Sequence, residues 1–145
     1  MVHALNTLHE IWRVLQPSGH LLDLRPRHSK PTAEIVDAGE IHAAGVLNDR
    51  GWIEDDEAAD SAIASVTDEG LYERLRSDSF RLAAYWDDPH EMKAYIEERW
   101  SNGENAIPPA VFKNALHLYA TAGGNARVRV HLKMQIVLYR KTNHD

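Results

Sequence analysis

The 145-residue sequence contains no cysteine. That removes disulfides, thiolate metal ligands and a cysteine nucleophile together, and it fits a reducing, cytoplasmic compartment. No apolar run approaches the ~18 residues a membrane helix requires, and residues 1–15 lack the basic segment and apolar core of a signal peptide. Basic residues are outnumbered, 16 Lys and Arg against 22 Asp and Glu, for a net charge of −6. Nucleic-acid binding, which rests on basic surface, is therefore not expected, and neither is a membrane partner. The glycines never fall in a G-x-G pattern, and no G-x-S-x-G occurs, so a phosphate-cradling turn and a nucleophile elbow are both missing. No two of the nine histidines stand four apart, which leaves no pair of imidazoles on one helix face and no expected metal site.

What is present is a regular alternation of helix and strand signals. Residues 1–16 carry Val2, Leu5, Leu8, Ile11, Trp12 and Leu15 at helical spacing. Pro17 stops that helix, Ser18-Gly19 turns the chain, and His20–Arg25 reads as a strand ended by Pro26. Residues 32–48 suggest a hairpin about Asp37-Ala38-Gly39-Glu40. The acidic run from Glu54 to Glu57 opens a helix in which Ala59, Ala62, Ile63 and Val66 form the apolar stripe, with Gly70 as its stop. From Leu71 the chain reads as polar and irregular, and Phe80–Trp86 then alternate. Asp88-Pro89-His90-Glu91 is a strong helix start, with Met92, Tyr95, Ile96 and Trp100 inward. Residues 101–107 read as a polar loop. A last helix from Pro108-Pro109 turns Phe112, Ala115, Leu116 and Tyr119 inward. Arg127–Lys141 is the clearest strand: Val128, Val130, Leu132, Met134, Ile136 and Leu138 alternate with Arg127, Arg129, His131, Lys133, Gln135, Val137 and Tyr139.

The stretch Leu8–Leu22, LHEIWRVLQPSGHLL, resembles a landmark of class I S-adenosylmethionine-dependent methyltransferases. There a helix ending in an Arg-Val-Leu-x-Pro-Gly-Gly type turn leads into the fifth strand of a seven-stranded sheet. Ser18 stands at the first glycine and Gly19 keeps the second. On that mapping residues 71–86 correspond to the sixth strand. The terminal strand is the seventh, antiparallel and inserted between strands 20–25 and 71–86. The hairpin 32–48 and the helices 89–122 become insertions. The resemblance implies an α/β fold with α+β character: a partial Rossmann-like methyltransferase sheet, mostly antiparallel, ordered α-β-β-β-α-β-α-α-β, as one domain over 1–145. It also implies an absence. The strands that carry the cofactor in this family have no counterpart, so no cofactor is expected. S-adenosylmethionine would bind only if a partner supplied the missing half-domain.

Two groups of residues invite a site. In doubly wound sheets ligands bind beyond the carboxyl ends of parallel strands, which points to Asp23, Arg25, Arg27 and His28 as a polar pocket with arginines for an anion. The alternative is that Asp23 and Arg25 satisfy turns and neighbouring carboxylates. The polar face of the last strand, with Arg129, His131 and Lys133, is the second; there the alternative is a solvated face paired with Glu34, Glu40, Glu73 or Asp78. Of the four tryptophans, Trp12, Trp86 and Trp100 fall in apolar patterns, and Trp52 is expected to be exposed in a loop. No catalytic residue can be named. The expectation is a methyltransferase-like binding or assembly module, not an enzyme as an isolated chain. Strand 20–25, left at a sheet edge, is expected to be capped by the hairpin or paired in a homodimer. The alternatives are a split methyltransferase completed by another chain, and a small-anion-binding protein or enzyme using strand 127–140.

Overall fold

The computed structural model describes residues 2–143, the side chain of Val2 excepted. The elements are α1 (Val2–Val14), β1 (His20–Arg27), β2 (Thr32–Asp37), β3 (Glu40–Val46), α2 (Gly51–Asp68), β4 (Tyr72–Trp86), α3 (Pro89–Arg99), α4 (Gly103–Ala106), α5 (Pro109–Thr121) and β5 (Arg127–Lys141). The fold is α+β, with a mostly antiparallel open sheet ordered β1-β5-β2-β3, and with β4 also paired to β5. The chain gathers into two compact units. The first takes residues up to Arg27, Glu54–Phe80, and those from Met134 on; the second takes His28–Ile53 and Arg81–Lys133.

In the first unit the chain reverses over Gln16–Gly19, where the Gly19 N–H donates to the Gln16 carbonyl at 2.8 Å. Pro17 in the second position and Ser18 at φ 61° in the third are the signature of a type II turn. A Cβ on Gly19 would stand 2.8 Å from the Gln16 carbonyl oxygen, so this position requires glycine. The Lys141 N–H donates to the Gly19 carbonyl at 2.8 Å, and the Thr142 N–H to the Leu71 carbonyl at 3.0 Å. The end of β5 therefore lies beside the starts of both β1 and β4, and β5 runs antiparallel to each.

That register explains why β1 continues past Pro26, where a stop was expected. With Gly19 bonded to β5, alternate residues 21, 23 and 25 face β5, while the N–H and C=O groups of 20, 22, 24 and 26 face away. Proline has no N–H to lose on that side, and an outer strand is where it is tolerated. Leu5, Leu8 and Trp12 of α1, with Leu15, Leu21 and Ile63, pack on Val66, Tyr72, Val137 and Tyr139. The Tyr72 hydroxyl donates to the Leu8 carbonyl at 2.7 Å. Lys141 Nζ caps the end of α1, donating to the carbonyls of Trp12 and Leu15 at 2.6 and 2.8 Å.

The second unit has the larger core, built on Ile35, Leu47, Met92, Ile96, Val128 and Val130, all fully buried. The expected hairpin is present, with Ala38 and Gly39 at positive φ in its turn. A register shift between Ala33 and Glu34 puts Gly45 at φ 147°, and a Cβ there would meet Val111 Cγ2 at 2.6 Å. The hairpin joins β5 through β2, pairing Ala33 with Val130 and Ile35 with Val128. Asp88 caps α3 as expected, its carboxylate accepting the Glu91 N–H at 3.0 Å, while the Glu91 carboxylate accepts the Asp87 N–H.

Several expectations are corrected. α2 starts at Gly51 instead of the acidic run, which draws Trp52 out of its supposed loop into a buried contact with Trp100, ring centroids 4.6 Å apart. Tyr95 is exposed on α3, tilted against Trp86. β4 is regular from Tyr72, its polar first half carried by pairing with β5 instead of by burial. One short helix, α4, interrupts the segment read as a loop, burying Gly103, Ala106 and Ile107. In β5 burial changes parity: the even positions Val128 and Val130 are buried early, the odd positions Val137 and Tyr139 late.

Candidate functional site

Strand alternation sends Asp23, Arg25 and Arg27 to the same face of β1. α2 brings Asp56 and Asp60, one helical turn apart, against them. Arg25 donates to Asp23 at 2.9 Å and to Asp60 at 2.8 Å, and its Nη1 stands 3.7 Å from Asp56. Arg27 places both terminal nitrogens on Asp60, at 3.1 and 2.9 Å. Asp60 thus receives two guanidinium groups. The hydrogen bonds from Arg27, ahead of those from Arg25, hold its carboxyl down at about 2 against some opposition from burial. The cluster borders a cavity of about 400 Å³ that Thr67, Asp68, Arg74, Gln135 and Tyr139 also line.

His28, expected in this group, belongs to the second unit. Its Nδ1 lies 2.6 Å from Asp49, a fully buried carboxylate. Asp49 also accepts the backbone N–H groups of Ser29 at 2.7 Å and Lys30 at 3.2 Å, which fixes the turn where Lys30 adopts φ 51°. The strand reverses its neighbours' environment within one residue: Arg27 turns to α2, and the next side chain is captured by the loop before it.

The second predicted group is brought together in part: Arg129 and His131 both approach Glu34 Oε1, at 3.2 and 3.8 Å, and Lys133 stands apart. Arg129 donates to Glu34 across the β2–β5 pair at 3.2 Å, the first of the partners expected for it. His131 Nδ1 lies 2.9 Å from the Arg81 guanidinium. Arginine can only donate, so Nδ1 accepts and the ring is neutral at that nitrogen. Burial, then the charges of Arg81 and Arg129, hold the His131 pKa below its ordinary value. Lys133 is exposed and joins neither contact.

Asp49 and Arg74 are the polar residues that sequence reasoning passed over; Asp56 and Asp60 belong to the acidic stretch read as a helix start, without their arginine partners. The i, i+4 spacing of Asp56 and Asp60 was a usable signal; nothing local marks Asp49 or Arg74. Among the described residues no group of three or more His, Asp or Glu is placed to hold a metal ion, and no helix is long and apolar enough to cross a membrane. Compared with protein-family models, curated proteins and solved structures, the chain matches none.

Proposed function

We propose that this chain is a methyltransferase-like assembly module, without a cofactor site of its own, that pairs with a second copy of itself through β1. The observation that carries the reading is the open side of that strand. β1 has one hydrogen-bonded neighbour strand among the described residues, β5. The backbone groups of His20, Leu22 and Leu24 face away from β5, and the Leu22 and Leu24 side chains are 61% and 53% exposed. Unpaired backbone beside exposed leucine is a template for strand addition. An antiparallel β1–β1 pair about a twofold axis satisfies both copies with the same surface.

The strand order β1-β5-β4, with β5 antiparallel to both neighbours, supports the methyltransferase resemblance. So does the division of the chain: the hairpin and the helices that the resemblance reads as insertions all fall in the second unit. Hydrogen exchange at several protein concentrations tests the pairing. The amides of Leu22 and Leu24 are expected to gain protection as concentration rises; exchange independent of concentration would count against it. Calorimetric titration with S-adenosylmethionine is expected to give no heat of binding. Micromolar affinity would favour a split or intact methyltransferase instead.

A further inference from the structure

The arginines that stand out in the sequence, Arg25 and Arg27, are both spent on Asp60, and the arginine left over is Arg74. The Thr142–Leu71 bond and the Arg140–Glu73 ion pair fix the register of β4 and β5, so Arg74 stands directly across from Tyr139. Both line the cavity of about 400 Å³ in the first unit. Among the described residues, neither a hydrogen bond nor an ion pair engages the Arg74 side chain. Beside it lie the Gln135 amide and the Tyr139 phenol, which burial keeps protonated and therefore a donor. Ile63, Ala64 and Val137 give the same cavity apolar carbon.

We propose that this cavity binds a small organic monocarboxylate. Its two oxygens take the parallel N–H groups of the Arg74 guanidinium, a match a single-point cation does not offer. Gln135 and Tyr139 add donors, and the body of the ligand lies against Ile63, Ala64 and Val137. The volume falls in the range of small-ligand sites. Charge selects within the anions. Asp60 is neutralised by two arginines, but Asp68 keeps a negative charge on the wall without a partner among the described residues. A second negative charge on the ligand is repelled by it.

Benzoate is the probe, titrated into the full chain and followed by two-dimensional amide NMR. Saturable shifts are expected at the Gln135 side-chain amide and at the backbone of residues 67–68, 74 and 135–139. Benzamide, the same shape without the charge, is expected to give none at equal concentration. Inorganic phosphate is expected to bind more weakly than benzoate. Arg74→Gln removes one charge-assisted contact and is expected to weaken benzoate by about 10-fold or more, with the rest of the spectrum unchanged because Arg74 is exposed. Asp68→Asn is expected to tighten it several-fold. No saturable response to benzoate, an equal response to benzamide, tighter binding of phosphate, or an unchanged response in Arg74→Gln would each overturn the proposal.

Discussion

The two units treat a carboxylate in opposite ways. The second unit encloses its one fully buried carboxylate, Asp49, and satisfies it with two backbone N–H groups and His28. The first has a carboxylate, Asp60, that stays half in water and is opposed by two arginines. Apolar surface does not separate them: Val66 is fully buried in the first unit, and Ile41 and Val46 are 53% and 51% exposed in the second. The contrast between the two units is therefore one of charge.

The contrast is sharpened most by Asp49→Ala. It strands two backbone donors and the imidazole of a half-buried His28, and a loss of about 2–3 kcal/mol is expected in urea unfolding. A loss under about 1 kcal/mol would mean that water replaces the carboxylate and that the two carboxylates do not differ as described. A smaller effect of opposite sign is expected in the first unit. Ser18 sits at φ 61° in the turn before β1, a conformation glycine adopts without strain, and Ser18→Gly relieves it for a gain of about 1 kcal/mol. Smallest is Asp60→Asn, expected to cost less than about 1 kcal/mol at neutral pH because the pair is solvated.

Its signature lies in acid. The folded pKa of about 2 is below the ordinary 3.8, so the ion pairs contribute fully above 3.8 and are lost as pH falls through about 2. Wild type should therefore lose more stability than Asp60→Asn between pH 5 and 2, measured by urea midpoints. Equal losses would place the acid sensitivity elsewhere. His131 has the converse chemistry. With its folded pKa held below 6.5, the unfolded chain takes up the proton first, so its contribution is present above 6.5 and declines as pH falls below it.

Much of the architecture was legible because it rests on local signals. The Pro17-Ser18-Gly19 turn, the Asp88 cap and the hairpin turn are set by residues within a few positions of one another. The strand β5 was found for the same reason, yet its burial pattern was only half legible. Alternation shows that a strand has two faces; which one is covered depends on elements far away in the chain, and here the covered parity changes between Val130 and Val137. Trp52 was misread because a polar stretch before it hid a helix start that only the packing on Trp100 requires. The candidate site was legible by residue type and not by partner. Asp23, Arg25 and Arg27 do meet, but with Asp56 and Asp60 from a distant helix. His28 left the group because Asp49, 21 positions on, binds it first.

Pairing through β1 is tested most directly by sedimentation equilibrium of the 145-residue chain beside its Leu24→Lys variant. A charge on that exposed strand blunts edge-to-edge pairing without entering a core. The expected result is a mass approaching twice 16.4 kDa for the wild type as concentration rises, and 16.4 kDa for the variant throughout. A wild-type mass of 16.4 kDa at every concentration would contradict it.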